Sequence, residues 1–586
     1  MRIALVVLGL LVPLAVAGAG QRASDATSTS VTFRDIAPAA GLVFRHVNGA
    51  SPAKHFAETM GSGGLFFDYD GDGWIDIFLV DGGSQADPAI GRTARHRLFR
   101  NRQNGSFEDV TPKSGIRHSG YGMGACAGDY DNDGRVDLYV TNAGLASGLP
   151  AVASAKAGAL AKAAAGMNAL YRNSGGGTFT NVTATAGVGS TRWGSTCGFL
   201  DFDRDGDLDL FVTNYVTMGK DANRVCRGGT PAVRVYCHPL NFQPTQNTLY
   251  RNDGKGTFTD VVAQAGIAAF RGNGLGVAIA DYDDDGLVDV FVANDAVPNF
   301  LFHNEGKGRF TETALGAGVA VATDGQARAG MGTMFGDYDG DGRVDLVVTN
   351  HETEMHSLFR NVGGGLFADA TVSSGVGPAT VPFVGFGVVF FDYDNDADLD
   401  LAEVNGHVID NVAQVRGGGR YAQRRLLLQN TGGRFRDASV QSGPAFATES
   451  VGRTLASGDI DNDGDLDLLV TNNGGRAELL RNDGGNRANG LLIRLAGEKS
   501  NRDGIGARLR ITAGTRTLVR DVASGGSYQG QNDLRVHVGL GDRTRAERIE
   551  IRWPSGLVEQ LTDVPANQII IVREGKGIVT STPFLR

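Results

Sequence analysis

The pattern Asp-x-Asp-x-Asp-(Gly)-x-x-Asp recurs seven times along this chain, starting at Asp68, Asp129, Asp201, Asp281, Asp337, Asp392 and Asp459, with start-to-start gaps of 55 to 80 residues. Loop positions 1, 3, 5 and 9 are Asp68, Asp70, Asp72 and Asp76 in the first copy, Asp129, Asp131, Asp133 and Asp137 in the second, and Asp201, Asp203, Asp205 and Asp209 in the third. They are Asp281, Asp283, Asp285 and Asp289 in the fourth, and Asp337, Asp339, Asp341 and Asp345 in the fifth. The last two copies carry Asp392, Asp394, Asp396 and Asp400, then Asp459, Asp461, Asp463 and Asp467. Four hard oxygen donors around one point suit Ca²⁺ better than a soft or imidazole-seeking metal, so up to seven calcium ions are expected. The loops hold a large share of the 65 acidic residues, and the formal net charge of −10 therefore reports stored ligands more than a basic partner.

The residues after each loop separate the calcium folds. An EF-hand needs a bidentate Glu at position 12 and flanking helices; here that position is Leu79, Val140, Val212, Val292, Val348 and Val470, with Glu403 only in the sixth copy. Runs such as 136–142 and 344–350 are β-branched and alternating, which places the loops in β-hairpins. Each repeat then carries a Leu-aromatic-Arg-Asn strand end, as at 98–101, 170–173, 249–252 and 358–361, and a Phe-x-Asp or close variant at Phe107, Phe179, Phe258, Phe310, Phe367 and Phe435. One four-stranded unit repeated in this way predicts a β-propeller. After Asn482 the Phe-x-Asp strand is missing, while an orphan copy, Phe33-Arg34-Asp35, precedes the first loop. The expected fold is all-β: a seven-bladed propeller over 31–486 with calcium-binding loops, closed by an N-terminal strand, plus a small C-terminal β domain.

Residues 1–19 have the charge, length and cleavage-site texture of a secretory signal peptide, and no other stretch is apolar and long enough to cross a bilayer as a helix. Insertions at 144–167, 215–247 and 406–425 are the first suspects for partner contact, since long loops on a rigid scaffold usually carry binding. From 490 to 573 the repeat gives way to alternating apolar and polar residues with Gly and Pro turns, which read as a small β sandwich or open barrel.

The repeats resemble the FG-GAP/VCBS type of integrin α-subunit propellers and many bacterial exported proteins. The tail resembles the ASPIC/UnbV domain, on Ile505-Gly506-Ala507-Arg508, Ser524-Gly525-Gly526-Ser527-Tyr528, 535–541 and Ile551-Arg552-Trp553-Pro554-Ser555-Gly556. Together they look like the cartilage acidic protein family and its bacterial relatives, for which no enzymatic activity can be carried over. The resemblance to integrin loops implies a backbone carbonyl from position 7 as a further calcium ligand. Ala397 stands where the other six loops have Gly, which implies a strained turn and weaker binding in the sixth.

Cys226 and Cys237 lie in one insertion and are expected to form a disulfide; Cys126 and Cys197 sit on strands before neighbouring loops and are expected as buried thiols, with a second bridge as the alternative. No nucleophile elbow, zinc helix motif or phosphate loop is present. His351, Glu352, Glu354, His356 and His407 come after strands leaving the loops and could meet as a transition-metal or acid-base site. Arg residues of the tail alternate with apolar ones without stacking aromatics, so no nucleic acid is expected. The leading expectation is a secreted or periplasmic calcium-binding module without catalysis, acting on an unidentified protein or glycan. The alternative is a secreted polysaccharide lyase or hydrolase using the propeller's central face.

Overall fold

The computed structural model describes residues 31–84, 93–117, 120–144, 166–218 and 224–586, so the expected signal peptide and nearly all of the 144–167 insertion lie outside the described residues. The described chain is all-β and propeller-like, with a few helices of one turn or so. Each acidic loop joins the first two of four antiparallel strands in its own sheet, and the first of these sheets gains a fifth, parallel strand, Gly530–Gln531. The second sheet is typical, with strands Gly122–Gly128, Asp137–Asn142, Ala169–Asn173 and Phe179–Asn181. In the seventh, the outer place is taken by Thr32–Asp35, which pairs antiparallel with Glu478–Asp483 in the register Thr32 to Asp483.

The sequence marks are the joints between neighbouring sheets. The aromatic residue at loop position 2 packs on the Phe of the next sheet's outer strand: Tyr69 on Phe179, Tyr130 on Phe258, Phe202 on Phe310, Tyr282 on Phe367 and Tyr338 on Phe435, with ring centroids 5.5 to 6.1 Å apart. Phe33 takes the same place against Tyr393 at 6.5 Å, which accounts for the orphan motif. The Asn that ends each third strand ties the same joint. Asn173 Nδ2 donates to the Tyr69 carbonyl of the preceding loop (2.7 Å) and to the Val136 carbonyl of its own (3.1 Å). Asn101 does so between the seventh and first loops, donating to the carbonyls of Ile460 (2.8 Å) and Ile75 (3.1 Å). Each buried amide bond contributes roughly 1 kcal/mol, but leaving its carbonyls unpaired would cost more, so the Asn is required at every joint.

Cys126 and Cys197 are bonded to each other, not free thiols. They lie on the first strands of the second and third sheets, which pack side by side and bring the two Cα atoms to 5.7 Å, within bridging range. Cys226 and Cys237 form the second disulfide, beside the short hairpin of Cys226–Gly228 and Val233–Val235.

The C-terminal module is two four-stranded sheets face to face. One contains Val536–Gly541, Asn489–Ala496, Gln568–Arg573 and Gly577–Pro583; the other contains Arg516–Asp521, Arg508–Ala513, Arg545–Arg552 and Val558–Pro565. Its strands thus run past residue 573 to Pro583. Ile493, Leu509, Ile549, Ile551, Trp553 and Ile570 fill the space between the sheets.

Between these sheets' strands the module sends residues 522–533 into the axis of the repeats, where they touch the first strand of every sheet. Gly530 pairs parallel with Gly64, Gln531 Oε1 accepts from Ala127 N–H (3.0 Å), and Ser524 Oγ accepts from Phe199 N–H (3.1 Å). Gly526 N–H donates to the Val277 carbonyl and Thr333 N–H to the Ser527 carbonyl, both at 3.1 Å. Ser527 Oγ accepts from Val388 N–H (3.1 Å) and donates to the Leu455 carbonyl (2.7 Å). The segment is short of large side chains because it replaces water at seven backbone edges; Tyr528, fully buried, is its one bulky residue.

Candidate functional site

The strands leaving the acidic loops run to the opposite end of the sheets, so the molecule has two candidate sites, one at each end. At the loop end, the backbone of every loop folds onto its own carboxylates. Asp68 accepts from the N–H groups of Asp72 and Gly73, both at 3.0 Å, and the other six loops repeat this at positions 1, 5 and 6. The position 9 carboxylate accepts from the N–H of position 2 and of the joint Asn, as Asp76 does from Tyr69 (3.1 Å) and Asn101 (2.7 Å). Positions 1, 3 and 9 converge: one oxygen each from Asp68, Asp70 and Asp76, from Asp129, Asp131 and Asp137, and from Asp201, Asp203 and Asp209 lie within 4.8 Å of one another.

Position 5 stands further out. Its Oδ1 accepts the N–H of position 7, as Asp72 does from Trp74 (3.0 Å), and in the first, second and fifth loops its other oxygen meets an arginine. Arg100 bridges Asp70 (2.6 Å) and Asp72 (3.3 Å), Arg172 bridges Asp131 (2.5 Å) and Asp133 (3.1 Å), and Arg360 bridges Asp339 (2.8 Å) and Asp341 (3.5 Å). The Arg of the strand-end motif therefore guards positions 3 and 5. In the fourth repeat His303 replaces it, 3.2 Å from Asp289, and this hydrogen bond lifts its imidazole to about 9.

The test of fit to Ca²⁺ is the state of the remaining oxygens. Oδ1 of position 3 is buried without a hydrogen-bond partner in five loops, at Asp131, Asp203, Asp283, Asp394 and Asp461. Burial, aided by neighbouring carboxylates, pushes Asp76, Asp137 and Asp345 up to about 9 and Asp129 and Asp201 to about 7. Bare, hard, repelling oxygens around one point are what a dication of this kind needs, and the residues fit it. Ala397 has φ of 77°, left-handed like the Gly residues at the same position though about 10° below their 86° to 94°, and its N–H still reaches Asp392 at 2.8 Å. The sixth loop keeps the common shape with a left-handed Ala.

The C-terminal module lies against this end and reaches all seven loops. Arg494 approaches Asp68 (3.5 Å), Asp503 accepts from Asp129 N–H (2.7 Å), and the Pro554 carbonyl accepts from Arg204 (3.0 Å). Arg508 donates to the Asp281 carbonyl (2.7 Å), Arg510 to that of Gly342 (3.3 Å) and Arg535 to that of Asp459 (2.7 Å), while Arg516 pairs with Asp398. These Arg residues, alternating along strands, face the acidic loops.

At the opposite end is a cavity of about 310 Å³. Fourteen residues after each loop's first Asp the repeats stop agreeing: Gly82, Ala143, Tyr215, Asp295, His351, Gly406 and Asn473. Three of these, Tyr215, Asp295 and His351, line the cavity, together with Tyr236 to Pro239 of one insertion and Val408, Ile409 and Arg416 of another. Phe56, Met60, Leu275, Met331 and Phe386 form the apolar part and pack around Tyr528, whose ring lies 4.9 Å from that of Phe386. Tyr528 of the axial segment thus packs behind the apolar part of the cavity.

The histidines divide. His351 and His407 meet, with ring centroids 5.4 Å apart, and His407 Nε2 lies 3.3 Å from Glu352 Oε1, which also pairs with Arg416. His356 does not join them: it is turned into the core against Glu403 at 2.8 Å, both fully buried. The expected five-residue cluster is therefore split, because Ser357–Gly363 begins its strand right after His356 and draws that side chain inside. His407 Nδ1 accepts Ile409 N–H (2.8 Å), which puts its proton on Nε2 and aims it at Glu352. His407 thus uses both ring nitrogens within this network, and one ligand atom each of His351, Glu352 and His407 lie within 4.8 Å of one another. Sequence reasoning missed Asp295, Tyr215 and His238; the divergence of the repeats at one fixed offset is the signal that could have found Asp295 and Tyr215, whereas His238 lies within the 215–247 insertion.

Comparison with known proteins places these features in a wider set. A model of the FG-GAP-like repeat matches residues 68–140, 148–212, 240–292, 281–348 and 337–402, together just over half of the chain, and an FG-GAP repeat model matches 451–489. A model described as ASPIC and UnbV matches residues 497–579. Cartilage acidic protein 1 of Mus musculus is 27% identical over 460 residues, covering 77% of this chain and 64% of the relative. The Homo sapiens protein is 27% identical over the same length, with 62% of it covered, so the chain spans less than two thirds of these relatives. Among solved structures, a lectin from Burkholderia pseudomallei aligns with a TM-score of 0.42 and 10% identity, over 72% of this chain and 95% of that one. A lectin from Agrocybe aegerita aligns with a TM-score of 0.37 and 17% identity, over 64% and 79%.

Proposed function

Because this chain belongs to the FG-GAP-like repeat family and ends in an ASPIC and UnbV domain, we propose that it is an exported, calcium-binding propeller that serves as an interaction module for a protein or glycan, without catalysis. In this reading the seven sheets are blades, and the N-terminal strand Thr32–Asp35 seals the ring by completing the last of them. The observation that carries the calcium assignment is the bare, buried Oδ1 of position 3 in five loops. Positions 1, 3 and 9 of each loop would hold the ion with the position 7 carbonyl, and position 5 would join them once its Arg partner swings aside. Bound calcium supplies positive charge and fixed coordination, so its role here is to hold each hairpin and, through the Arg contacts, the C-terminal module. Seven dications carry fourteen positive charges against a formal net charge of −10, which moves the formal charge of the whole chain from −10 to +4.

Export is supported by the signal-like residues 1–19, by two disulfides, and by the fact that no helix among the described residues is long and apolar enough to cross a membrane. An interaction role is supported by the cavity at the open end, where two insertions meet over a rigid scaffold. The test is calorimetric calcium titration of the chelator-stripped protein lacking residues 1–19, with a thermal melt at each end point. Near seven ions and a large rise in melting temperature are expected. Few ions, or an unchanged melt in chelator, would overturn the reading.

A further inference from the structure

The apolar side of the cavity at the open end packs around Tyr528, and its polar side is lopsided. Asp295 and Glu354 are held side by side through one residue: Asp295 forms an isolated bridge with Ala329, whose N–H donates to Glu354 Oε2 at 2.9 Å. Asp295 Oδ2 accepts the Tyr215 hydroxyl at 2.5 Å. Each carboxylate keeps its other oxygen without a partner among the described residues, and neither forms an ion pair there. His351 donates Nδ1–H to the Glu352 carbonyl (3.3 Å), which leaves a bare lone pair on Nε2. Glu352, in contrast, is compensated by Arg416 and His407. The imidazoles add no positive charge, because burial lowers His238, His351 and His407.

A neutral sugar would call for donors and acceptors in similar number, and an anion would meet two uncompensated carboxylates. The cavity instead offers three acceptors beside an apolar wall. We infer that it binds a protonated primary amine on an apolar stem, the ammonium held by Asp295, Glu354 and His351 and the stem lying on Phe56, Leu275, Met331 and Phe386. This deepens the interaction reading and rests on it: the stem and the ammonium fit a lysine of a protein partner, and an amino sugar of a glycan, which lacks the apolar stem, is the outcome the test sets against it.

The test is calorimetric titration of the calcium-loaded protein with n-pentylamine at pH 8, against 1-pentanol as the uncharged probe of similar shape. The expected result is one site with Kd on the order of 0.1–1 mM, at least tenfold weaker binding of 1-pentanol, and at least tenfold weaker amine binding in both Asp295→Asn and Glu354→Gln. Equal binding of amine and alcohol, no amine binding, or undiminished binding in two variants that melt like the parent would overturn the inference. Nα-acetyl-lysine methylamide and glucosamine then distinguish the two sources, whichever binds more tightly naming the partner class. Calcium stoichiometry measured in the same samples separates the failures. Seven ions without amine binding discards the cavity assignment alone, whereas absent calcium binding discards the propeller reading itself.

Discussion

The two ends of the sheets were built by opposite rules. At the loop end seven copies of one hairpin repeat the same backbone hydrogen bonds and the same joint Asn, and a single module covers them all. At the open end the corresponding position is Tyr215 in one repeat, Asp295 in the next and His351 in the one after, and two insertions fold over the difference. Repetition marks the positions that must do the same structural task in every sheet, and its loss marks where the chain is free to build something once. The two ends should therefore respond differently when perturbed.

The largest expected difference is in the response to pH. In the metal-free protein Asp76, Asp137 and Asp345 are raised by burial from 3.8 to about 9. A carboxyl raised on folding binds its proton more tightly in the folded chain, so its contribution is complete below about pH 4 and is lost as pH rises towards 9. Melting temperature of the chelated protein should fall across that window. With calcium the slope should reverse, because protons then compete with the ion for the same oxygens. Parallel melts from pH 4 to 9 with and without calcium check this; parallel curves would mean that the loops do not bind the ion.

Next comes the residue that joins the ends. Tyr528 is fully buried, donates to the Met60 carbonyl at 3.1 Å and packs against Phe386. Tyr528→Ala should cost roughly 3–5 kcal/mol by the cavity it leaves, and should also weaken amine binding, since it removes the ring packed behind the apolar part of the binding cavity. Denaturant unfolding of the variant measures the first effect and calorimetry the second. A change in stability without a change in binding would separate the ends more sharply than the geometry does.

The disulfides should split in the same way. Cys126–Cys197 spans 71 residues and links two sheets, so its replacement by Ala at both positions should cost about 4 kcal/mol of global stability in the chain-entropy model. Cys226–Cys237 spans 11 residues within an insertion that supplies the cavity wall. Its removal should be felt first as weaker ligand binding, with the global melt shifted less. Differential scanning calorimetry of the two double variants, read beside amine titration, tests the split.

The same contrast explains what could be read in advance. Loops, joint Asn residues and the Phe-x-Asp strands were legible because a period repeated seven times rises above chance, and Phe33 could be assigned from its lack of a partner. The Cys126–Cys197 bond was misjudged because the distance between two first strands depends on how sheets pack, which no local pattern encodes. Residues 522–533 carry no hydrophobic period; their task is to satisfy backbone groups, which shows in the sequence only as a run short of large side chains. Asp295 is adjacent to Glu354 and His351 only after two repeats are folded side by side. His356 was grouped with them by proximity in sequence, whereas the start of its strand turns it inward to Glu403.

The smallest predicted effect concerns the one loop that breaks its own repeat. A left-handed Ala costs about 1–2 kcal/mol relative to a right-handed one, which taken alone says that Ala397→Gly should stabilise the protein. But the Ala397 methyl is buried against the core shared with the C-terminal module, and removing it gives back about 0.8 kcal/mol. A glycine also adds unfolded-state freedom of roughly 0.5–1 kcal/mol. The terms nearly cancel, so the substitution should change stability by less than about 1 kcal/mol, even though it restores the consensus of the other six loops. Its effect on calcium should be larger than its effect on the melt, because a ligand-bearing turn is tightened while the core is loosened. Calcium titration of Ala397→Gly beside the parent decides it: tighter binding at one of the sites with an unmoved metal-free melt is expected, and a gain of several degrees without calcium would mean that the sixth loop, alone among the seven, is held under strain by its module contact.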